Sequence, residues 1–156
     1  MSTNMIGIEK GQAIKLADKL NVLLSNYQIY YQNLRGFHWN ITGPSFFELH
    51  AKFEELYTGA NAAVDEIAER ILTLGRTPLH TFSDYIDNAA IKVSKNVSGG
   101  TETVKATIEN LSRIIEIERE IFALANEAED EGTATLMSDY IKEQEKTVWM
   151  LNAYVK

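Results

Sequence analysis

At 156 residues, 45% of them hydrophobic, the chain is the size of one ordinary domain and has enough apolar material for a buried core. It contains no cysteine, which excludes disulfides, thiolate metal sites and cysteine nucleophiles, and it has no apolar run long enough to span a membrane and no secretion signal, so it reads as cytoplasmic with no membrane partner. A formal net charge of −7, from 22 acids and 15 bases, disfavours plain phosphate-backbone binding and suits either simple solubility or the handling of cations.

Apolar residues recur at spacings of three and four in four long stretches, each the stripe of an amphipathic helix. The first stripe is Leu16, Leu20, Leu23, Tyr27, Tyr30, Leu34 and Phe37. Thr42-Gly43-Pro44 breaks it, and Ser45-Phe46-Phe47-Glu48 is a capping-box pattern that predicts the start of the second helix. That helix carries Leu49, Phe53, Leu56, Ala60, Val64, Ile67, Ile71 and Leu74, and stops at Gly75 with Pro78 just beyond. Residues 77–100 form a long crossover, with a short helix expected over Ser83–Ala90. After Ser98-Gly99-Gly100 the third helix carries Val104, Ile108, Leu111, Ile115, Phe122 and Ala125. Gly132 marks the turn into the fourth, with Met137, Tyr140, Ile141, Val148, Leu151 and Val155. An all-α chain of four long helices, with a long crossover bearing a short helix between the second and third, has the layout of a ferritin-like four-helix bundle. Residues 1–156 are expected to form this single domain.

The second helix carries the residues with chemistry. His50 and Glu54 lie four apart on one face, and Asp65 and Glu69 repeat that spacing. His50, Glu54 and Asp65 each follow a stripe residue by one position, about 100° around the helix, so they lie beside the buried stripe. A site inside the bundle would want a Glu-x-x-His pair, but the residues three before the histidines are Arg35, Phe47 and Thr77. An intra-bundle di-iron site is therefore not expected. Nor can one helix gather both pairs, since Glu54 and Asp65 are roughly 16 Å apart along its axis. Yet His50 and Glu69 share one midpoint, between Gly59 and Ala60, and so do Glu54 and Asp65. An antiparallel copy of the same helix would place His50 opposite Glu69 and Glu54 opposite Asp65. The small residues Gly59 and Ala60 would allow close approach at the crossing. A two-fold dimer would then carry two identical sites, each drawing ligands from both chains. Imidazole and carboxylate without sulfur suit iron, and also zinc or manganese. Taken singly, each carboxylate pair is equally what a solvated helix face carries.

The run Phe37-His38-Trp39-Asn40-Ile41-Thr42-Gly43, then Phe46-Phe47, Leu49-His50, Asp65-Glu66-Ile67-Ala68-Glu69-Arg70-Ile71, Leu74-Gly75 and Pro78 resembles the Dps family of mini-ferritins over essentially the whole chain. The resemblance implies a hollow shell of twelve subunits. It also implies ferroxidase sites on two-fold interfaces, oxidation of ferrous iron with hydrogen peroxide in preference to oxygen, and storage of ferric mineral inside. It implies His38, His50 and Glu54 from one subunit and Asp65 and Glu69 of the partner subunit as metal ligands. Trp39 resembles the family's electron-supplying aromatic, though packing at a helix end would also account for it. The family usually has Asp at the position of Glu54. His80, in the crossover, is given no metal role. The cluster Glu127, Glu129, Asp130 and Glu131 reads as either an iron entry pore or a solvated turn.

Two other readings remain open at this level. One is nucleic-acid compaction, from which the family takes its name. Members that bind DNA directly often use a lysine-rich tail, and the first ten residues here hold only Lys10, so direct binding is not expected. The other is a purely structural helical oligomer that retains its ligand side chains without using them.

Overall fold

The computed structural model describes residues 2–156. Five helices follow one another: α1 (Lys10–Asn40), α2 (Phe46–Thr73), α3 (Phe82–Asn88), α4 (Gly100–Glu127) and α5 (Glu131–Val155). The four long ones form the expected bundle, and the short α3 sits in the crossover. α1 packs along α2, α4 packs along α5, and α1 against α4 joins the two pairs. The Thr42 N–H donates to the Ser98 carbonyl, so α4 starts beside the start of α2 and the two run parallel. None of the described helices is long and apolar enough to cross a membrane.

The stripes of α1 and α2 form the core as expected. Leu16, Leu20, Leu23, Tyr27, Tyr30, Leu34 and Phe37 are buried, as are Leu49, Phe53, Ala60, Ile67 and Ile71. The stripe on α4 is rotated from the expected one. Val104, Thr107, Leu111, Ile114, Glu118, Ile121 and Ala125 face inward, while Ile115 is half-buried and Phe122 exposed. A glutamate within the stripe hid its true register.

Two helix boundaries also differ from expectation. Ser45 makes no side-chain cap. Its ψ of 18° is not the extended conformation a cap needs, and α2 starts instead from a turn at Gly43, φ +106°, whose carbonyl accepts the Phe46 N–H. Gly132 is not the turn into α5 but lies within its first turn. Asp130 is the N-cap, accepting from the Thr133 N–H at 3.0 Å. A Cβ at Gly132 would come within 2.7 Å of Arg70 Nη1, so glycine here admits the guanidinium that binds Asp130 at 2.6 Å. Asp130 is only 2% exposed, which removes it from any pore-lining acidic cluster.

Three asparagines of α1 hold the crossover. Asn21 Oδ1 accepts from the Leu79 N–H, Asn26 Oδ1 from those of Ala90 and Ile91, and Asn33 Oδ1 from that of Ser94. Side-chain amides thus satisfy backbone donors that have no helical partner.

Candidate metal centre

The short connection between α1 and α2 folds His38, in the last turn of α1, against His50, in the second turn of α2. Their rings stack at 3.8 Å between centroids, 13° from parallel. Each ring is fixed by the other's backbone. His38 Nδ1 lies 2.6 Å from the His50 carbonyl, and His50 Nδ1 lies 2.7 Å from the His38 carbonyl. A carbonyl only accepts, so both Nδ1 atoms carry a proton and donate, and in the neutral rings both Nε2 atoms keep a free lone pair. This is how a ligand imidazole is oriented from behind. Phe46 lies parallel to His50 at 5.0 Å, and Tyr57 meets His38 edge-on at 5.3 Å.

Glu54, one turn beyond His50, brings Oε1 to 3.7 Å from His38 Nε2 while staying 59% exposed. The longer side chain therefore reaches the His38 ring from this position. One chain unites His38, His50 and Glu54 but not Asp65 and Glu69, which lie further along α2 with exposed side chains. Those two carboxylates make no hydrogen bond or ion pair among the described residues. Nor, among the described residues of one chain, do three metal-ligating side chains form a group able to hold an ion. Trp39 is 57% exposed, with the Arg35 guanidinium 4.8 Å over its ring. His80 is exposed and its Nδ1 donates to the Pro78 carbonyl.

The face of α2 bearing His50, Glu54, Asp65 and Glu69 also exposes Phe47, at 83%, and Leu72, at 58%. Their midpoint is again that between residues 59 and 60. The small residues do not sit at this crossing as expected. Ala60 is buried against the core, and Gly59 lines a groove beside α5. On the ligand face the midpoint is flanked by the exposed Thr58 and Asn61. Gly59 and Ala60 fall more than 100° from that face, because consecutive residues turn about 100°.

Inside the bundle lies a polar network that the sequence reading missed. Glu118 is fully buried, and its Oε2 accepts from the Tyr27 hydroxyl at 2.7 Å, while Gln144 contacts both groups. Burial raises the Glu118 carboxyl to about 8, against the hydrogen bonds from Tyr27 and Gln144 that lower it. The Tyr140 hydroxyl donates to Glu66 at 2.8 Å. Glu118 was detectable as an acid on the apolar stripe, seven residues after Leu111 and seven before Ala125. Tyr57 was detectable too, three residues after Glu54 on the ligand face. The network contains no histidine.

Comparisons with known proteins agree with this fold. Residues 17–156 match the Ferritin family, described as the ferritin-like domain. The chain is 56% identical to an uncharacterised protein of Haemophilus influenzae, over 98% of this chain and 96% of that one. It is 43% identical to the DNA protection during starvation protein of Porphyromonas gingivalis, over 95% and 93%. A crystal structure of a Dps protein from Vibrio cholerae, described as a member of a superfamily of ferritin-like diiron-carboxylate proteins, superposes with a TM-score of 0.98. It shares 52% identity, covering 100% of this chain and 98% of that one. With a ferritin-like bundle, a matching family domain and full-length relatives of this kind, the chain belongs to the Dps family of mini-ferritins.

Proposed function

We propose that this protein is a ferroxidase that oxidises ferrous iron with hydrogen peroxide at sites shared between two subunits and stores the ferric product within an oligomeric shell. The observation that carries this reading is the locked imidazole pair. Both rings are held through Nδ1, and His38 Nε2 lies 3.7 Å from the carboxylate of the exposed Glu54. Asp65 and Glu69 of the partner subunit complete the set when two α2 helices pack antiparallel. Phe47 and Leu72 support that register, because each is an exposed apolar side chain that finds the other across the same axis. Imidazole and carboxylate hold ferrous iron, and peroxide takes two electrons and leaves as water. Phe82, Ile86, Val93, Trp149 and Tyr154 remain exposed for the further contacts that a shell of twelve needs.

Relatives are named for protecting DNA during starvation. In a chain of net charge −7, that protection is read as removal of ferrous iron and peroxide and not as coverage of the duplex.

Mixed dimers test the shared site. His50→Ala and Asp65→Ala chains, each inactive alone, are unfolded together and reassembled. In a mixed dimer both substitutions fall in one site and the other site is intact, so activity returns. A mixture as inactive as its parents would overturn the shared site.

A further inference from the structure

The ring of His50 is the less sheltered of the reciprocal pair, half-buried where His38 is 7% exposed. One hydrogen bond, from Nδ1 to the His38 carbonyl at 2.7 Å, anchors one edge of it. That bond alone does not fix the plane. The torsion about an imidazole's Cβ–Cγ bond is broad and nearly two-fold. A half-turn would carry Nδ1 off the carbonyl and put a carbon in its place. The tautomer that the hydrogen bond selects would be lost with it.

The two faces of the ring supply the missing restraint. His38 lies over His50 at 3.8 Å between centroids and 13° from parallel, and Phe46 at 5.0 Å and 17°. Two rings so close and so nearly parallel to His50 would overlap each other if they shared one face, so they take opposite faces. His50 is thus the middle layer of three, and a half-turn would drive its edges into both neighbours. His38 is buried and is met edge-on by Tyr57 at 5.3 Å, so its own plane is held from elsewhere. The outer face of His50 depends on one side chain. Building on the metal-centre reading above, we infer that Phe46 is a positioning residue, whose flat ring holds His50 to its carbonyl partner and so keeps His50 Nε2 open to a metal ion.

The backbone puts Phe46 in this place. It opens α2, its N–H donates to the Gly43 carbonyl at 3.1 Å, and the φ of +106° at Gly43 makes that turn. Four residues separate it from His50, which sets the two side chains on one face of the helix. The half-buried ring also packs against the core, a task that an aliphatic side chain could share. Only a flat side chain covers the face of an imidazole.

Phe46→Leu keeps apolar bulk without the flat face, and Phe46→Tyr keeps the face. Phe46→Met is a second aliphatic variant should leucine disturb the start of α2. Each metal-free assembly, labelled with nitrogen-15 histidine, is sedimented at about pH 8, where free imidazole is neutral, for solid-state magnetic resonance. In the parent, His50 should show one tautomer, with the proton on Nδ1. In the aliphatic variants a second tautomer, with the proton on Nε2, should appear at His50 and not at His38. Cobalt(II) titrated into the same variants should bind about ten-fold more weakly, the scale of a lost supporting contact. Phe46→Tyr should match the parent in tautomer and affinity. Parental tautomer and affinity in the aliphatic variants overturn the role of Phe46 and leave the metal-centre reading standing. Equal losses in the tyrosine and leucine variants overturn it too, because they mark a loss of packing alone. Altered tautomers with parental affinity overturn it as well, because the metal would then be indifferent to the ring's orientation. A parent protein that binds no cobalt overturns both readings.

Discussion

His38 and His50 exchange hydrogen bonds, each ring Nδ1 donating to the other's main-chain carbonyl at 2.6 and 2.7 Å. The pair therefore ties the end of α1 to α2 and leaves both Nε2 atoms outside that exchange. Structure and chemistry are coupled at these two residues.

His50→Ala should lower stability as well as activity. It removes one half-buried hydrogen bond and a ring stack, worth about 1–2 kcal/mol together. The initial rate of peroxide-driven iron oxidation should fall at least ten-fold, on the scale of ligand loss. Asp65→Ala, on an exposed face, should match that rate loss without lowering the melting temperature. A parental oxidation rate in either variant would remove that residue from the site.

Phe47→Glu should break the two-fold contact. It places a carboxylate where an apolar side chain meets Leu72 of the partner subunit, forfeiting about 2 kcal/mol of burial at each of two symmetric contacts. Sedimentation should show smaller species with unchanged helical content. An assembly of parental size would mean that this face does not carry the interface.

Glu118 makes stability depend on pH. Its folded value, about 8, lies above the ordinary 4.5, so the folded state holds the proton more tightly than the unfolded chain. Its contribution is fully present below about pH 4.5 and is lost as pH rises through 8. Glu118→Gln stays neutral throughout. Its melting temperature should therefore fall less between pH 5 and pH 9 than the parent's. The difference should favour the variant by on the order of a few kcal/mol at the alkaline end. Parallel curves for the two proteins would show that Glu118 ionises freely in the fold.

Duplex DNA should not be retarded in a gel at moderate salt and neutral pH with chelator present. A chain of net charge −7 gains little from counterion release. Chelator matters because divalent cations can bridge acidic surfaces to phosphate. Retention of the shift in chelator would restore direct nucleic-acid binding as a function.

The two helices with unbroken apolar stripes, α1 and α2, were legible from periodicity, and the ligand set proposed on α2 rests on the symmetric signature that a two-fold axis would leave in residue numbers. The α4 stripe was misplaced because Glu118 and Thr107 occupy core positions that a hydrophobicity count skips. Gly132 was read as a turn when it makes room for Arg70, a contact between residues 62 apart that no local pattern encodes. The reciprocal histidine lock was invisible for the same reason, since it depends on how the connection after Asn40 folds back. Placing Gly59 and Ala60 at the crossing confused position along the helix with direction around it.

The asparagine clamps have a consequence for exchange of backbone hydrogens with solvent. Leu79, Ala90, Ile91 and Ser94 all lie outside helices, where amides ordinarily exchange within seconds. Each instead donates to an asparagine side chain rooted in α1, at 2.8 to 3.0 Å. These amides open only when the crossover lifts off α1, so in deuterium oxide they should exchange as slowly as a helix interior. Replacing Asn26 with Ala should release Ala90 and Ile91 together while Leu79 and Ser94 stay protected. The crossover is thus fastened at separate points and can loosen one stretch at a time.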